Sequence, residues 1–459
     1  MPKYALAIAF TLACAAAYVL LTRGEIAIAV LCAISPALLA AALLRPILFP
    51  YAAYAILVPL DTLLSTGSDG TIPKVLGMLS GIALVIYVIR RQAFVVPSRA
   101  NLASIAFTIA FAASLLWTIS PDSGHINLQT LAELVLVYTC VCIVPIDRFD
   151  LKTILGAIVL GGVGVAIYGI WMFRHANPTG FDAQAVRLFF RSGGQTLDIN
   201  TYADAMLLPI GIALWAWLVE TSTIKRVAII AALGVMTYAV LLAASRDALI
   251  AIGILLLYVA WRSPLRKRLW PFAALAIAGS LLHTDVWKRF GEAQATGGAG
   301  RLSIWHVGVK AFEAHPFFGW GGGSFSDAYD RFYLSVYQNY NAGWDRASHN
   351  LLLHYGVEMG IVGTLLVAGV WLLQIRQARE LEAYPALREL AIALTGVLLA
   401  LAFASLFIDL YLAKILWLAF GVVGQARSYA LCNALQYVPA ARKTRWAAPM
   451  PIASRAGAR

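Results

Sequence analysis

The chain has 459 residues, of which 61% are hydrophobic and only 13% charged, and its formal net charge is +12. An ordinary soluble chain carries about 25% charged residues, and no soluble core can hide this much apolar surface. The apolar runs are continuous and do not alternate with period two. That excludes an outer-membrane barrel and leaves a bundle of membrane-spanning helices, each about 20 residues long.

In chain order the predicted spans lie near 4–22, 25–44, 46–64, 72–90, 101–119, 126–144, 151–172, 201–219, 226–243, 246–261, 268–283, 350–375, 387–405 and 407–426. Several are short or closely joined, so the expectation is an all-α polytopic membrane protein with 12–14 transmembrane helices. With the N-terminus inside, Arg90, Arg91 and Arg99, then Arg262, Arg266, Lys267 and Arg268, then Arg376, Arg379 and Arg388 all fall on the cytoplasmic side. The outer loops balance acids against bases. This is the positive-inside asymmetry, and it accounts for the +12 without any basic face for nucleic acid. The first segment is longer than a signal peptide's apolar region and offers no cleavage site, so it reads as a retained helix. Cys14, Cys32, Cys140, Cys142 and Cys432 lie in or beside spans, with neither disulfide nor zinc spacing.

The organisation expected is an N-terminal bundle over 1–283 with a small outer loop at 174–200, and a large outer loop at 284–348. C-terminal helices follow at 349–426, then a basic cytoplasmic tail at 427–459. Both termini are cytoplasmic in this reading. The large loop holds eleven Trp, Tyr and Phe between Phe312 and Trp344, which argues for a folded segment. Within it, Arg301 to Phe312 is predicted as a short amphipathic helix, with Ile304, Gly308, Ala311 and Phe312 on one face and Trp305 beside them. His315-Pro316 ends it, because Pro disfavours helix in the residue before. The run Gly319-Trp320-Gly321-Gly322-Gly323 reads as a flexible turn, or as a nest of N–H groups for an anion.

Charged side chains at the outer face supply the candidate chemistry. Arg187 and Arg191 lie i, i+4 in the small loop, Arg246 stands at the outer tip of a helical hairpin, and Arg301 opens the loop helix. Guanidinium forks suit phosphate oxygens; each could equally be an interfacial anchor or a local ion pair. His349, followed by Asn350, sits where the large loop meets an apolar helix. Its imidazole can serve as general base, or simply cap the helix. His354 and Glu358 lie i, i+4 and can satisfy each other. No two His and a carboxylate share a metal-ligand spacing. Asp61, Glu133, Asp204 and Asp409 fall within apolar segments, as they would in a transporter.

The order Ser245-Arg246, then Gly300-Arg301-x-x-x-Trp305, then His315-Pro316-x-x-Gly319-x-Gly321-x-Gly323-x-Phe325, then His349-Asn350 resembles the O-antigen ligase family over about residues 240–375. The resemblance extends to O-antigen polymerases and protein O-oligosaccharyltransferases. It implies a GT-C-like glycosyltransferase of about twelve spans, with a large periplasmic loop, in the bacterial inner membrane. It implies transfer of O-antigen from undecaprenyl diphosphate to the lipid A-core, with no cofactor and no metal. His349 matches the family's loop-end histidine, in the role of base. Arg246 and Arg301 match arginines that hold the carrier's phosphates, and Arg187 and Arg191 fit the same role. Trp305, His315, Gly321, Gly323 and Asn350 match the supporting loop. The alternatives are a polymerase using a second lipid-linked glycan, a polytopic transporter, or a non-catalytic glycan-binding factor.

Overall fold

The computed structural model describes residues 15, 18, 26–63, 71–175, 191–192, 195–196, 199–243, 245–272, 274, 301–336 and 346–436. Helix dominates. The chain runs α1 (Ile26–Leu44), a broken stretch containing α2 (Ala52–Leu57), α3 (Ile72–Arg91), α4 (Arg99–Ser114), α5 (Pro121–Ile143) and α6 (Arg148–His175). A pair of two-residue strands, Arg191–Ser192 and Gln195–Thr196, precedes α7 (Ile199–Ala205) and α8 (Leu207–Val219). Then come α9 (Thr223–Ala243), α10 (Arg246–Arg262), α11 (Arg301–Ala314), α12 (Phe325–Val336), α13 (Leu351–Glu380), α14 (Arg388–Ala404) and α15 (Lys414–Gln436).

Among the described residues, eight helices are long and apolar enough to cross a membrane, or nine if one bent pair is a single span. The protein is an all-helical, multi-pass membrane protein. Helices α10 and α14, at 17 residues each, fall just below that length yet sit inside the same bundle. The spans expected at 25–44 and 46–64 form one bent pair, the chain turning by 110° between Ala33–Leu44 and Ile47–Asp61. Pro46 lies in the bend, and proline cannot continue a helical hydrogen-bond ladder. The span expected at 407–426 is also corrected, because the helix begins only at Lys414. Asp409 accepts from the backbone N–H of Tyr411 at 3.1 Å, a local bond that competes with helix. The first predicted span and the one at 268–283 fall largely outside the described residues.

Glycines set how closely the central helices pack. Helix α14 is buried along most of its length between α8 and α10. A Cβ at Gly211 would lie 2.1 Å from Val397, and one at Gly396 would lie 2.8 Å from Leu255. Small residues at helix contacts let backbones approach where lipid offers no hydrophobic drive for association. Under the loop-bearing end lies an aromatic stack in which Phe107 meets Tyr355 at 5.0 Å and Tyr411 at 4.9 Å, edge-on.

The large loop is not structureless. Helices α11 and α12 form a small core of their own, with Ile304, Val307, Ala311, Phe325, Tyr329 and Tyr333 packed over Val357 of α13. The predicted loop helix is there and runs two residues further, to Ala314. Helix α13 is broken at Gly360 (φ +65°). The loop mends the break. Trp320 and Gly321 N–H donate to Val357 and Glu358 carbonyls at 2.9 and 2.8 Å, and Ile361 N–H donates to Pro316 O at 2.8 Å. Irregular backbone at membrane depth is tolerated only where protein satisfies it, and here the loop does so.

Candidate active site

The glycine run is a clasp. Gly321 (φ +96°) lies so close to Thr118 that a Cβ would come within 2.2 Å of its Cα, and Gly323 (φ +79°) is as tight against Gly124. Gly322 N–H donates to Ser114 Oγ at 3.0 Å, and Thr118 Oγ1 donates to Gly322 O at 2.8 Å. With the N–H groups of Trp320, Gly321 and Gly322 already spent on protein acceptors, neither a flexible turn nor an anion nest describes this run. It pins the loop between the α4–α5 corner and the α13 break. Ser120 hydrogen-bonds Asp327 across the same seam. His315 stacks edge-on against Trp320 with ring centroids 4.1 Å apart, and Trp320 Nε1 donates to Ala311 O at 2.8 Å.

The clasp holds α11 with its N-terminus against the start of α10. Arg301 Nη2 lies 3.9 Å from Asp247 Oδ2, with the guanidinium 5.8 Å from the Phe407 ring centroid. Asp247 is nearly buried and accepts a hydrogen bond from the Ser245 hydroxyl, whose oxygen lies 2.9 Å from the Asn200 side-chain amide. Arg246, half-buried, is the first residue of α10 and the neighbour of Asp247. So Arg246 and Arg301, 55 positions apart in the chain, come to one corner. Arg187 lies outside the described residues, and Arg191 is described only as part of its short strand.

One turn along α11, Trp305 Nε1 donates to Ser348 O at 3.0 Å, and its ring lies 6.2 Å from Phe407. This bond brings the His349 segment to the arginine corner. His349 is half-buried and takes φ +48°, a left-handed conformation; the other non-glycine residue with positive φ among those described is Gln92. Such a conformation in a non-glycine residue costs of order 1–3 kcal/mol and persists only where its surroundings impose it. They do: Ser348 is fully buried, and Asn350 caps α13 by accepting from Leu353 N–H at 3.0 Å.

Beneath His349 lies a polar network. His354 Nε2 is 3.2 Å from Glu358 Oε1, the pair foreseen from spacing, and His354 Nδ1 is 3.2 Å from Asp409 Oδ2. With a proton on both nitrogens the imidazole donates to both carboxylates at once. Ser348 Oγ approaches the same Nδ1 at 3.4 Å. Glu358 is 1% exposed, and among the described residues its Oε2 has no hydrogen-bond partner. Sequence reasoning missed the part played by Asp409. Its only signal was a carboxylate in an apolar stretch, with nothing to say that it folds back onto His354. Two other such acids are also paired, Asp61 with Lys414 at 2.6 Å and Glu133 with Lys74 at 3.3 Å.

Residues 231–368 match a family model described as O-Antigen ligase. Over these residues the chain is similar to the O-antigen ligase family. No curated protein matches the chain. The matched segment runs from α9 to the middle of α13. It takes in Arg246, Arg301, Trp305, the glycine clasp and His349, the residues through which the sequence resembles O-antigen ligases.

Proposed function

We propose that the protein is an O-antigen ligase of GT-C-like type in a bacterial inner membrane. It moves O-antigen from undecaprenyl diphosphate to a lipid A-core sugar on the periplasmic face, with both termini in the cytoplasm. One observation carries this reading: within the family segment, the clasp and the Trp305–Ser348 bond gather Arg246, Arg301 and His349 at one end of the bundle.

In this proposal the acceptor hydroxyl attacks the anomeric carbon opposite the diphosphate, the configuration inverts, and the carbon–oxygen bond to the carrier breaks. His349 takes the hydroxyl proton. The charge that builds on the departing diphosphate is met by Arg246 and Arg301, with Arg187 and Arg191 in the same role. Preorganised cations aimed at developing charge are worth far more in a water-poor site than in bulk water. No metal ion is needed if guanidinium groups do this, so chelator should leave turnover unchanged. The supporting residues Trp305, His315, Gly321, Gly323 and Asn350 hold these groups in place.

The test is reconstitution with lipid-linked glycan and a choice of lipid A-core, a second lipid-linked glycan, or peptide. Extension of lipid A-core is expected. Extension of the second lipid-linked glycan alone would make the protein a polymerase, and no extension of any acceptor would overturn the enzymatic reading.

A further inference from the structure

At the far end of the bundle, about 24 Å along α10 from Arg246, a crevice of about 840 Å³ opens between the ends of α10 and α13 and the start of α14. Four guanidinium groups line it, from Arg262, Arg376, Arg379 and Arg388, against the two carboxylates of Glu380 and Glu382, a surplus of two positive charges (4 − 2). The carboxylates are already engaged. Arg262 Nη2 is 2.5 Å from Glu382 Oε2, Tyr258 OH donates to Glu382 Oε1 at 3.0 Å, and Arg376 Nε is 2.9 Å from Glu380 Oε1. Among the described residues, Arg379 and Arg388 have no ion pair.

The apolar side chains beside the crevice point to lipid as the source of its anion. Leu365, Leu372 and Arg379 recur every seven residues, so they share one stripe of α13, and Ile375 and Arg376 flank it. Leu365 and Leu372 are 65% and 68% exposed, as lipid-facing residues of a bundle would be. The stripe passes from apolar to cationic toward the helix end, in the order acyl chain, then phosphate. Trp261 and Trp270, 71% and 74% exposed at this same end, mark the membrane–water boundary.

We propose that this crevice is a binding site for the phosphate of an anionic phospholipid, taken from the leaflet opposite the loop-bearing face. Arg379 and Arg388 grip the phosphate oxygens with forked contacts, and the acyl chains lie along Leu372 and Leu365. Basic pockets between helices on this side are a known form of anionic headgroup recognition.

The experiment uses the full chain in nanodiscs of phosphatidylcholine with increasing phosphatidylglycerol, and counts retained lipid by native mass spectrometry. Saturable retention of phosphatidylglycerol is expected. It should fall at least about tenfold in Arg379→Ala/Arg388→Ala, which removes two charge-assisted contacts. Arg91→Ala/Arg99→Ala, with the same loss of charge outside the crevice, should bind as wild type does. Equal losses in both variants would mean attraction by net charge alone and would overturn the site. So would non-saturable retention by the unmodified protein, a result that needs no variant to fold. Displacement of phosphatidylglycerol by millimolar inorganic phosphate would assign the crevice to a soluble phosphate compound and overturn the lipid reading.

Discussion

His354 offers the sharpest test of how the site is built. Replacing it by Ala leaves Glu358, 1% exposed, and Asp409 facing one another without the imidazole that lies 3.2 Å from each. Among the described residues, Glu358 would keep only a 3.4 Å bond from Phe325 N–H. Removing one partner of a buried ion pair costs about 3–5 kcal/mol. Because the His354 and Asp409 side chains are 15% and 19% exposed, the lower end, about 3 kcal/mol, is expected. The charge left behind carries much of that cost, so Glu358→Gln added to His354→Ala should cost less than the two single changes summed. The coupling should be about 1–3 kcal/mol, in the range for residues sharing one network. The assay is equilibrium unfolding in mixed micelles of wild type, both single variants and the double. A His354→Ala cost below about 1 kcal/mol, or strict additivity, would refute the network.

Three further outcomes follow from the geometry. His349→Ala should lower turnover by about 10²–10⁴-fold with little change in unfolding, whereas any loss in His354→Ala should track its lost stability; initial rates on equal amounts of folded protein separate the two. Arg301→Ala should reduce kcat/KM for the lipid-linked donor by roughly 10–150-fold, the worth of a charge-assisted contact of about 1.5–3 kcal/mol, and Lys should restore only part because it lacks the fork. Gly321→Ala places a Cβ 2.2 Å from Thr118 at φ +96°; overpacking costs about 1–3 kcal/mol, so protease should cut the 301–336 segment faster than in wild type, and unchanged protection would show that the clasp is not rigid.

What sequence alone determined rests on physics that is local or averaged over the whole chain. Excess apolar residues and few charges require a membrane. Helical spacing of Ile304, Gly308 and Ala311 gave α11, and i, i+4 spacing paired His354 with Glu358. The motif order from Ser245 to Asn350 led to the same family as the match over 231–368.

Only the tertiary structure decided what depends on partners distant in the chain. Hydropathy placed 407–426 in a span, but it could not register that Asp409 would reach His354 and Lys414 would reach Asp61, 353 positions away. Those polar contacts unwind the chain before Lys414. The glycine run was ambiguous for the same reason. Glycine permits both an open nest and a tight clasp, and the choice falls to the acceptors opposite it, namely Val357 and Glu358 carbonyls freed by the break at Gly360 and the Ser114 hydroxyl on α4. Sequence ranks a residue by its own chemistry and its neighbours within a helical turn. The free energy of a buried polar group depends on what stands across from it, and that is fixed only when the helices pack.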